Sequence, residues 1–524
     1  MHSTVDPSVQ RIDRPLSDAS AVQPQQPDAD AAATPELEVL IIGAGFGGIG
    51  AAIQLQRLGI HSFLIVERAD DLGGTWHANT YPGLTVDIPC HSYAYSFEPN
   101  PDWSRMFAPG AEIKAYANDV ATKYRLREHM RFGCDVERTE YDEAGKYWTA
   151  HIRGQAPIRA RVLVAAVGYL SRPKRPSIPG LESFAGKVIH TAAWDHDYDL
   201  QGRRAAVIGT GATSVQLLPE IAPKLAQLDV YQRTPVWVGP KRDFASSADL
   251  RAFLREVPLA QRLWRLVSHT ILELMTWFGV THYKLAPFFM RLAMLGARMH
   301  MHHSIKDPEL RRKLTPSYGM GCKRPTISNS YYPVFNRDNV ELVTEPIARI
   351  EPDGVVTQDG RKRRIDTLIL ATGFNIWETD GLVSIRGVAG RELAALWQES
   401  GYRAYEGITI PGFPNLFYLP APYSYTGLSY FFTIEGEMKH MARCLTAMKQ
   451  RGAASFEVTE SALVRFVARM KRQLGGSVFV VGDCTSSNSY YFDPHGEPTL
   501  MRPTPVVGAH LRHATFPLSD YHFG

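Results

Sequence analysis

Apolar and polar positions follow the same pattern in two separate stretches of the chain. In the first, the apolar run Val39 to Ile42 leads directly into Gly43-x-Gly45-x-x-Gly48, and apolar residues then recur at helical spacing as far as Leu58. A further apolar run from Ser62 to Val66 ends at Glu67, 19 residues after Gly48. In the second, Ala205 to Ile208 leads into Gly209-x-Gly211-x-x-Ser214, a helical pattern follows through Ile221, and the run Leu228 to Gln232 ends at Arg233 and Thr234. Strand, glycine turn, helix and strand in that order predict an α/β fold with two dinucleotide-binding, Rossmann-like domains. Two more apolar runs stop at small-residue turns: Val162 to Gly168, and Asp366 to Leu370 followed by Thr372 and Gly373. They are predicted to be the crossover out of the first nucleotide domain and the strand that returns to it.

The turns supply the first chemistry. Glycine lets the chain bend sharply, lets a pyrophosphate reach the backbone and lets the helix pack close to the strand, with the helix N-terminus facing the phosphates. Candidate residues are Gly43, Gly45, Phe46 and Gly48 in the first turn, and Gly209, Gly211, Thr213 and Ser214 in the second. Ser214 replaces the third glycine and is expected to loosen the helix–strand packing slightly. Glu67 can accept hydrogen bonds from both ribose hydroxyls of an adenine nucleotide. At the equivalent strand tip of the second unit stand Arg233 and Thr234, and an arginine favours a 2′-phosphate that a carboxylate would repel. Opposite tips imply different nucleotides, with FAD at the first turn and NADPH at the second.

Composition narrows the class further. A length of 524 residues exceeds one ordinary core, and 44% hydrophobic with 21% charged residues is ordinary globular usage. The formal charge of +4 gives no reason to expect nucleic acid. Five scattered cysteines without a C-x-x-C pair predict neither a disulfide framework nor a zinc site. The segment to about Glu36, rich in Ala, Pro, Gln, Asp and Ser, reads as a disordered extension, and without a charged-then-apolar leader the default compartment is the cytoplasm. From about Leu263 to Met301 the chain is strongly apolar, but Arg265, Glu273, Lys284, Arg291 and Arg298 interrupt it. That excludes a membrane span. Amphipathic helices over a ligand entrance are the first reading, and weak contact with a membrane surface through residues 263–301 is the second.

Three further segments select a family. The run Phe184-x-Gly186-x-x-x-His190-x-x-x-Trp194-Asp195 resembles the signature of Baeyer–Villiger monooxygenases. Gly73-Gly74-Thr75-Trp76, then Tyr81-Pro82-Gly83 and Asp87, is similar to a second pattern of that family beside the flavin ring. Lys323-Arg324-Pro325, followed by Tyr331, Tyr332, Phe335, Asn336 and Arg337, resembles the stretch bearing its active-site arginine. Near the C-terminus, Ser489-Tyr490-Tyr491 stands where the family commonly has Ser-Trp-Tyr, which leaves substrate scope open. Tyr423 to Thr426 reads either as substrate lining or as core.

The resemblance implies an FAD domain interrupted by an NADPH domain. Residues 37–172 would form the first FAD part, 173–354 the NADPH domain with a helical insertion at about 243–317, and 355–524 the second FAD part with a C-terminal substrate and cofactor loop. It implies conversion of a ketone to an ester or lactone with O2 through a flavin peroxide. Arg324 would stabilise the peroxyanion and the ketone adduct, and Asp87 would position Arg324. Cofactor contacts would come from Thr75, Trp76, Asp87, Lys323, Thr372 and Gly373 in addition to the two turns, Glu67, Arg233 and Thr234. Two other activities share the same parts: an N- or S-oxygenating flavin monooxygenase, and an NADPH oxidase that never retains oxygenated flavin. Sequence alone does not bring Asp87 and Arg324 together, and it leaves the oligomeric state open.

Overall fold

Each apolar run before a glycine turn becomes an interior strand of its own sheet. The computed structural model describes residues 35–377, 383–427 and 429–524, so nearly all of the expected N-terminal extension lies outside the described residues. Leu37–Ile42 pairs in parallel with Phe63–Val66 on one side and Ile158–Ala165 on the other. Residues 39 to 42 are all buried, which explains a continuous apolar run where a half-exposed strand would alternate. Antiparallel strands Val136–Asp142 and Tyr147–Ile152 extend the sheet beyond Ile158–Ala165.

The second sheet is parallel throughout. Its order is Val340–Val343, Gln227–Tyr231, Arg204–Ile208, Thr367–Leu370 and Lys187–His190. Between its strands, residues 347–364 form a three-stranded antiparallel sheet. Here the expected boundary after residue 354 is corrected. Thr367–Leu370 lies beside Arg204–Ile208 in the second sheet, and the chain rejoins the first sheet only at Ser384–Arg386 and Leu416–Tyr418. An apolar strand ending in Thr-Gly suits either sheet, because the crossover that decides the matter is not a local property.

Helices Ala248–Glu256, Pro258–Thr276, Pro287–Ser304 and Pro308–Leu314 fill the predicted insertion. The cysteine reading also needs correction. Cys322 and Cys484 form a disulfide across 162 residues with their Cα atoms 5.1 Å apart, while Cys90, Cys134 and Cys444 are free and buried. The pair meets because the C-terminal segment folds back on residues 317–322: the Gly319 amide donates to the Asp483 carbonyl (3.3 Å), and the Ser317 and Ser486 hydroxyls are 3.2 Å apart. Spacing carries no trace of such a return.

Close packing fixes two of the first-turn glycines. Gly43 has φ of +105°, and a Cβ on Gly48 would lie 1.9 Å from the Gly43 carbonyl oxygen. At the equivalent place in the second turn, Ser214 is fully buried and its hydroxyl donates to the Gly209 carbonyl (2.7 Å), so its extra atoms are absorbed by a hydrogen bond. Gly48→Ala is therefore expected to destabilise the protein by about 3 kcal/mol or more. Urea unfolding of the variant against the parent checks this, and an unchanged midpoint would refute the packing assignment.

Candidate active site

At the first turn the helix Phe46–Arg57 starts immediately after Gly45, and the buried Phe46 ring packs against Phe431 at 4.7 Å between centroids. Phe46 is thus a core residue whose backbone belongs to the turn. Glu67, 8% exposed, accepts the Ala44 amide through Oε2 (2.8 Å) and the Ala69 amide through Oε1 (3.0 Å). Each oxygen keeps a lone pair for a ribose hydroxyl. Beside the turn, Gly73 and Gly74 take φ of +113° and +54° and start the short helix Thr75–Ala78. The Trp76 indole donates to the Tyr93 hydroxyl (3.0 Å) and meets that ring edge-on.

At the second turn, Arg233 is exposed and Lys323 is partly buried, and neither has a carboxylate partner among the described residues. Burial lowers the Lys323 ammonium, and the neighbouring Arg233 charge lowers it further. Two unneutralised cations at a strand tip, 90 residues apart in the chain, attract a dianionic group. The Thr234 hydroxyl accepts a hydrogen bond from Asn488 Nδ2 (2.8 Å), so the C-terminal segment closes over this tip.

Between the turns runs the loop from Tyr81 to Asp87. Gly83, at φ of +81°, lies so close to the second-turn helix Ala212–Ile221 that a Cβ would meet the Gln216 carbonyl oxygen at 2.5 Å. The Gln216 side chain accepts from the Tyr81 hydroxyl (2.9 Å) and donates to the Thr85 carbonyl (2.9 Å). This docking delivers Asp87 to Arg324. Arg324 Nε donates to Asp87 Oδ2 at 2.7 Å, Nη2 donates to Oδ1 at 2.8 Å, and Nη1 donates to the Tyr425 hydroxyl at 3.1 Å. Burial alone would raise the Asp87 carboxyl, but the charge and hydrogen bonds of Arg324 offset it and hold the carboxyl below its usual 3.8. The carboxylate is therefore the state at every pH above the ordinary value, and acid removes the pair only below it.

Comparison with known proteins places this arrangement. The family described as pyridine nucleotide-disulphide oxidoreductase matches residues 40–273. A Baeyer-Villiger monooxygenase of Pseudomonas aeruginosa is 42% identical over 466 residues, covering 88% of this chain and 86% of that protein. The chain belongs to the Baeyer–Villiger monooxygenase family. Among solved structures, OTEMO in complex with FAD and NADP is 26% identical with a TM-score of 0.83, covering 94% of this chain and all of that one. Cyclohexanone monooxygenase from Rhodococcus sp. Phi1, bound to NADP+, is 27% identical with a TM-score of 0.82, covering 94% and 99% of the two chains.

Whether the two nucleotides of a Baeyer–Villiger monooxygenase fit can be tested at the turns. A Cβ on Gly211 would meet nothing within 4 Å, and one on Gly45 would make only ordinary contact with the Gly74 backbone, at 3.6 Å from its Cα. Packing therefore gives no reason for glycine at either position, and a pyrophosphate approaching the backbone gives one. Thr372 and Gly373 do not stand at the first turn. They end a strand of the second sheet, where the Thr372 hydroxyl donates to the Lys174 carbonyl and the Gly373 carbonyl accepts the Lys174 amide (2.8 Å). Thr213 lies on the second-turn helix, close enough for its side chain to hydrogen-bond Tyr81.

The family signature serves mainly as structure. His190 accepts the Ala192 amide through Nδ1 (3.1 Å), Asp195 pairs with Lys187, and a Cβ on Gly186 would strike the Asp366 carbonyl oxygen. Tyr423, Ser424 and Thr426 are buried, while Tyr425 reaches Arg324, so that segment is core with one residue at the site. Tyr490 and Tyr491 lie within electrostatic reach of the same guanidinium. Sequence reading missed Gln216, Tyr93 and Lys241, whose ammonium donates to the Thr85 hydroxyl (3.1 Å). A polar side chain aimed across a domain boundary has no periodic signature.

Two outcomes follow. Gly211→Ala should leave stability within about 0.5 kcal/mol yet raise the KM for NADPH about tenfold or more, because its methyl fills the open cradle. Comparable losses in both would show that the glycine serves packing alone. Removing Arg233 or Lys323 should weaken NADPH by roughly 1.5–3 kcal/mol, the range for a hydrogen bond to a charged group, and NADH far less. Steady-state kinetics with both nucleotides give the answer, and equal losses would defeat the 2′-phosphate assignment.

Proposed function

We propose that this chain catalyses an FAD- and NADPH-dependent Baeyer–Villiger oxygenation, placing one oxygen atom of O2 beside the carbonyl of a ketone to give an ester or lactone. The observation that carries the reading is the forked Arg324–Asp87 pair at the meeting of the two nucleotide units. Family membership supports it. Gly43, Gly45, Gly48 and Glu67 would hold FAD, and Gly209, Gly211, Ser214, Arg233, Thr234 and Lys323 would hold NADPH. When bound, these cofactors supply the electrons and the activation of O2.

The protein's own contribution is charge, orientation and exclusion of water. Arg324 stays cationic at any working pH, and Asp87 fixes the plane of its fork. A guanidinium held this way stabilises negative charge developing on the substrate carbonyl oxygen without reorganising during the reaction. Tyr425 steadies the remaining nitrogen. The C-terminal segment covers the site through the disulfide at Cys484, the Asn488–Thr234 bond and the Trp377 indole on the Tyr490 carbonyl (3.0 Å). Closure of this kind limits access of water to the reacting atoms. A cytoplasmic location belongs to the same reading, since NADPH is supplied there; the disulfide is the one feature that runs the other way.

The test is product identification. FAD-loaded protein given NADPH, isotopically labelled O2 and panels of linear, cyclic, aromatic and steroidal ketones should yield esters or lactones carrying one labelled oxygen. Oxidation confined to a parallel panel of amines and sulfides, or release of hydrogen peroxide alone, would contradict the proposal.

A further inference from the structure

The helical insertion leaves its apolar residues in solvent. Among the described residues, 14 of the 23 exposed large hydrophobic side chains lie between positions 257 and 299, so the exposure is concentrated in the helical insertion. On Pro258–Thr276 they recur at Leu259, Leu263, Leu266 and Ile271, which is one face of a helix. On Pro287–Ser304 they recur as Phe288, Leu292, Leu295 and Met299. All eight are 52–74% exposed. Helix Val506–Thr515 continues the surface with Val507 and Leu511, and its N-terminus is tied to the first of these helices by the Val506 amide on Glu273 Oε1 (2.8 Å).

The charges sort themselves around this face. Glu273 is the only acidic residue from position 257 to 304, and it is turned inward onto that amide. Arg265 is also turned inward, donating to the carbonyls of His91 (3.1 Å) and Ala94 (2.7 Å). The exposed charges that remain are all positive. Arg262, Lys284 and Arg291 have no carboxylate partner among the described residues, and Arg298 lies over the Trp237 ring at 5.7 Å. Among the described residues, no helix is long and apolar enough to cross a membrane.

We propose that this face docks on an anionic lipid surface, with the apolar stripes entering the acyl boundary and the four cations on the headgroups. An amphipathic helix with basic flanks has this physical form. Long cationic stems can lie along apolar surface while their heads stay in the polar layer. A second copy of the chain fits less well, because the patch offers no outward carboxylate to meet those cations. The proposal concerns where the protein sits and holds whichever activity the site performs.

Sedimentation with vesicles tests it on the full, FAD-loaded chain. The protein should pellet with vesicles of phosphatidylcholine and phosphatidylglycerol in equal parts, bind much less to phosphatidylcholine alone, and be released by high salt. Reversing two charges, Arg262→Glu with Arg291→Glu, should lower anionic-vesicle affinity by about tenfold or more. Leu263→Ser with Phe288→Ser should also lose binding, with flavin content and circular dichroism reporting an intact fold. Three outcomes each overturn the proposal: no pelleting with either vesicle, pelleting that both variants leave unchanged, or a dimer in analytical ultracentrifugation that Leu263→Ser with Phe288→Ser dissolves.

Discussion

A guanidinium and a carboxylate separated by 237 residues share two hydrogen bonds of 2.7 and 2.8 Å, and much of the architecture serves to make them meet. Removing two charges from water is expensive, and an ion pair recovers that loss only with good geometry and a partner for every remaining donor. The geometry meets the first condition, and each of the three guanidinium nitrogens makes one hydrogen bond. The fork of Arg324 lies flat on Asp87, and its third nitrogen has the Tyr425 hydroxyl. Deleting one member would leave the other buried in part and uncompensated, which costs more than the pair itself contributes.

Each half of the pair is placed by a different contact between distant segments. Asp87 arrives on a loop that Gly83 allows to touch the second-turn helix, and Gln216 locks it there with bonds to Tyr81 and Thr85. Arg324 is set between the disulfide at Cys322 and a short parallel pairing of Thr326 and Ile327 with Val238 and Gly239. That pairing anchors the arginine to the second nucleotide unit, where Lys323 and Arg233 carry their unneutralised charges. The proposed 2′-phosphate contact and the proposed oxyanion site therefore sit on adjacent residues, Lys323 and Arg324, of one constrained segment.

How far the sequence could be read follows from the range of each interaction. The glycine turns, the buried strands before them and the tips at Glu67 and Arg233 were legible because each is a local pattern with a local physical cause. The sheet to which Thr367–Leu370 belongs was not, since a strand's neighbours are chosen by crossovers that its own residues do not encode. The same reason hid the Cys322–Cys484 bridge and the roles of Gln216 and Lys241. Periodicity announced amphipathic helices in the insertion but not which face would be covered. Arg265 and Glu273, two of the five charges that interrupt the apolar run, turned out to point inward, and the apolar stripes point out.

The central claim is that Arg324 acts on oxygen transfer and Asp87 acts by holding it, and it is tested most directly by timing the two half-reactions of one Arg324→Ala preparation. Anaerobic flavin reduction by NADPH should slow only modestly, while aerobic ester formation should fall by roughly 10²–10³-fold, the scale of a lost oxyanion donor. Asp87→Ala should show a milder form of the same split. Ester formation by Arg324→Ala at near the parent rate, or an equal loss in both half-reactions, would contradict the account.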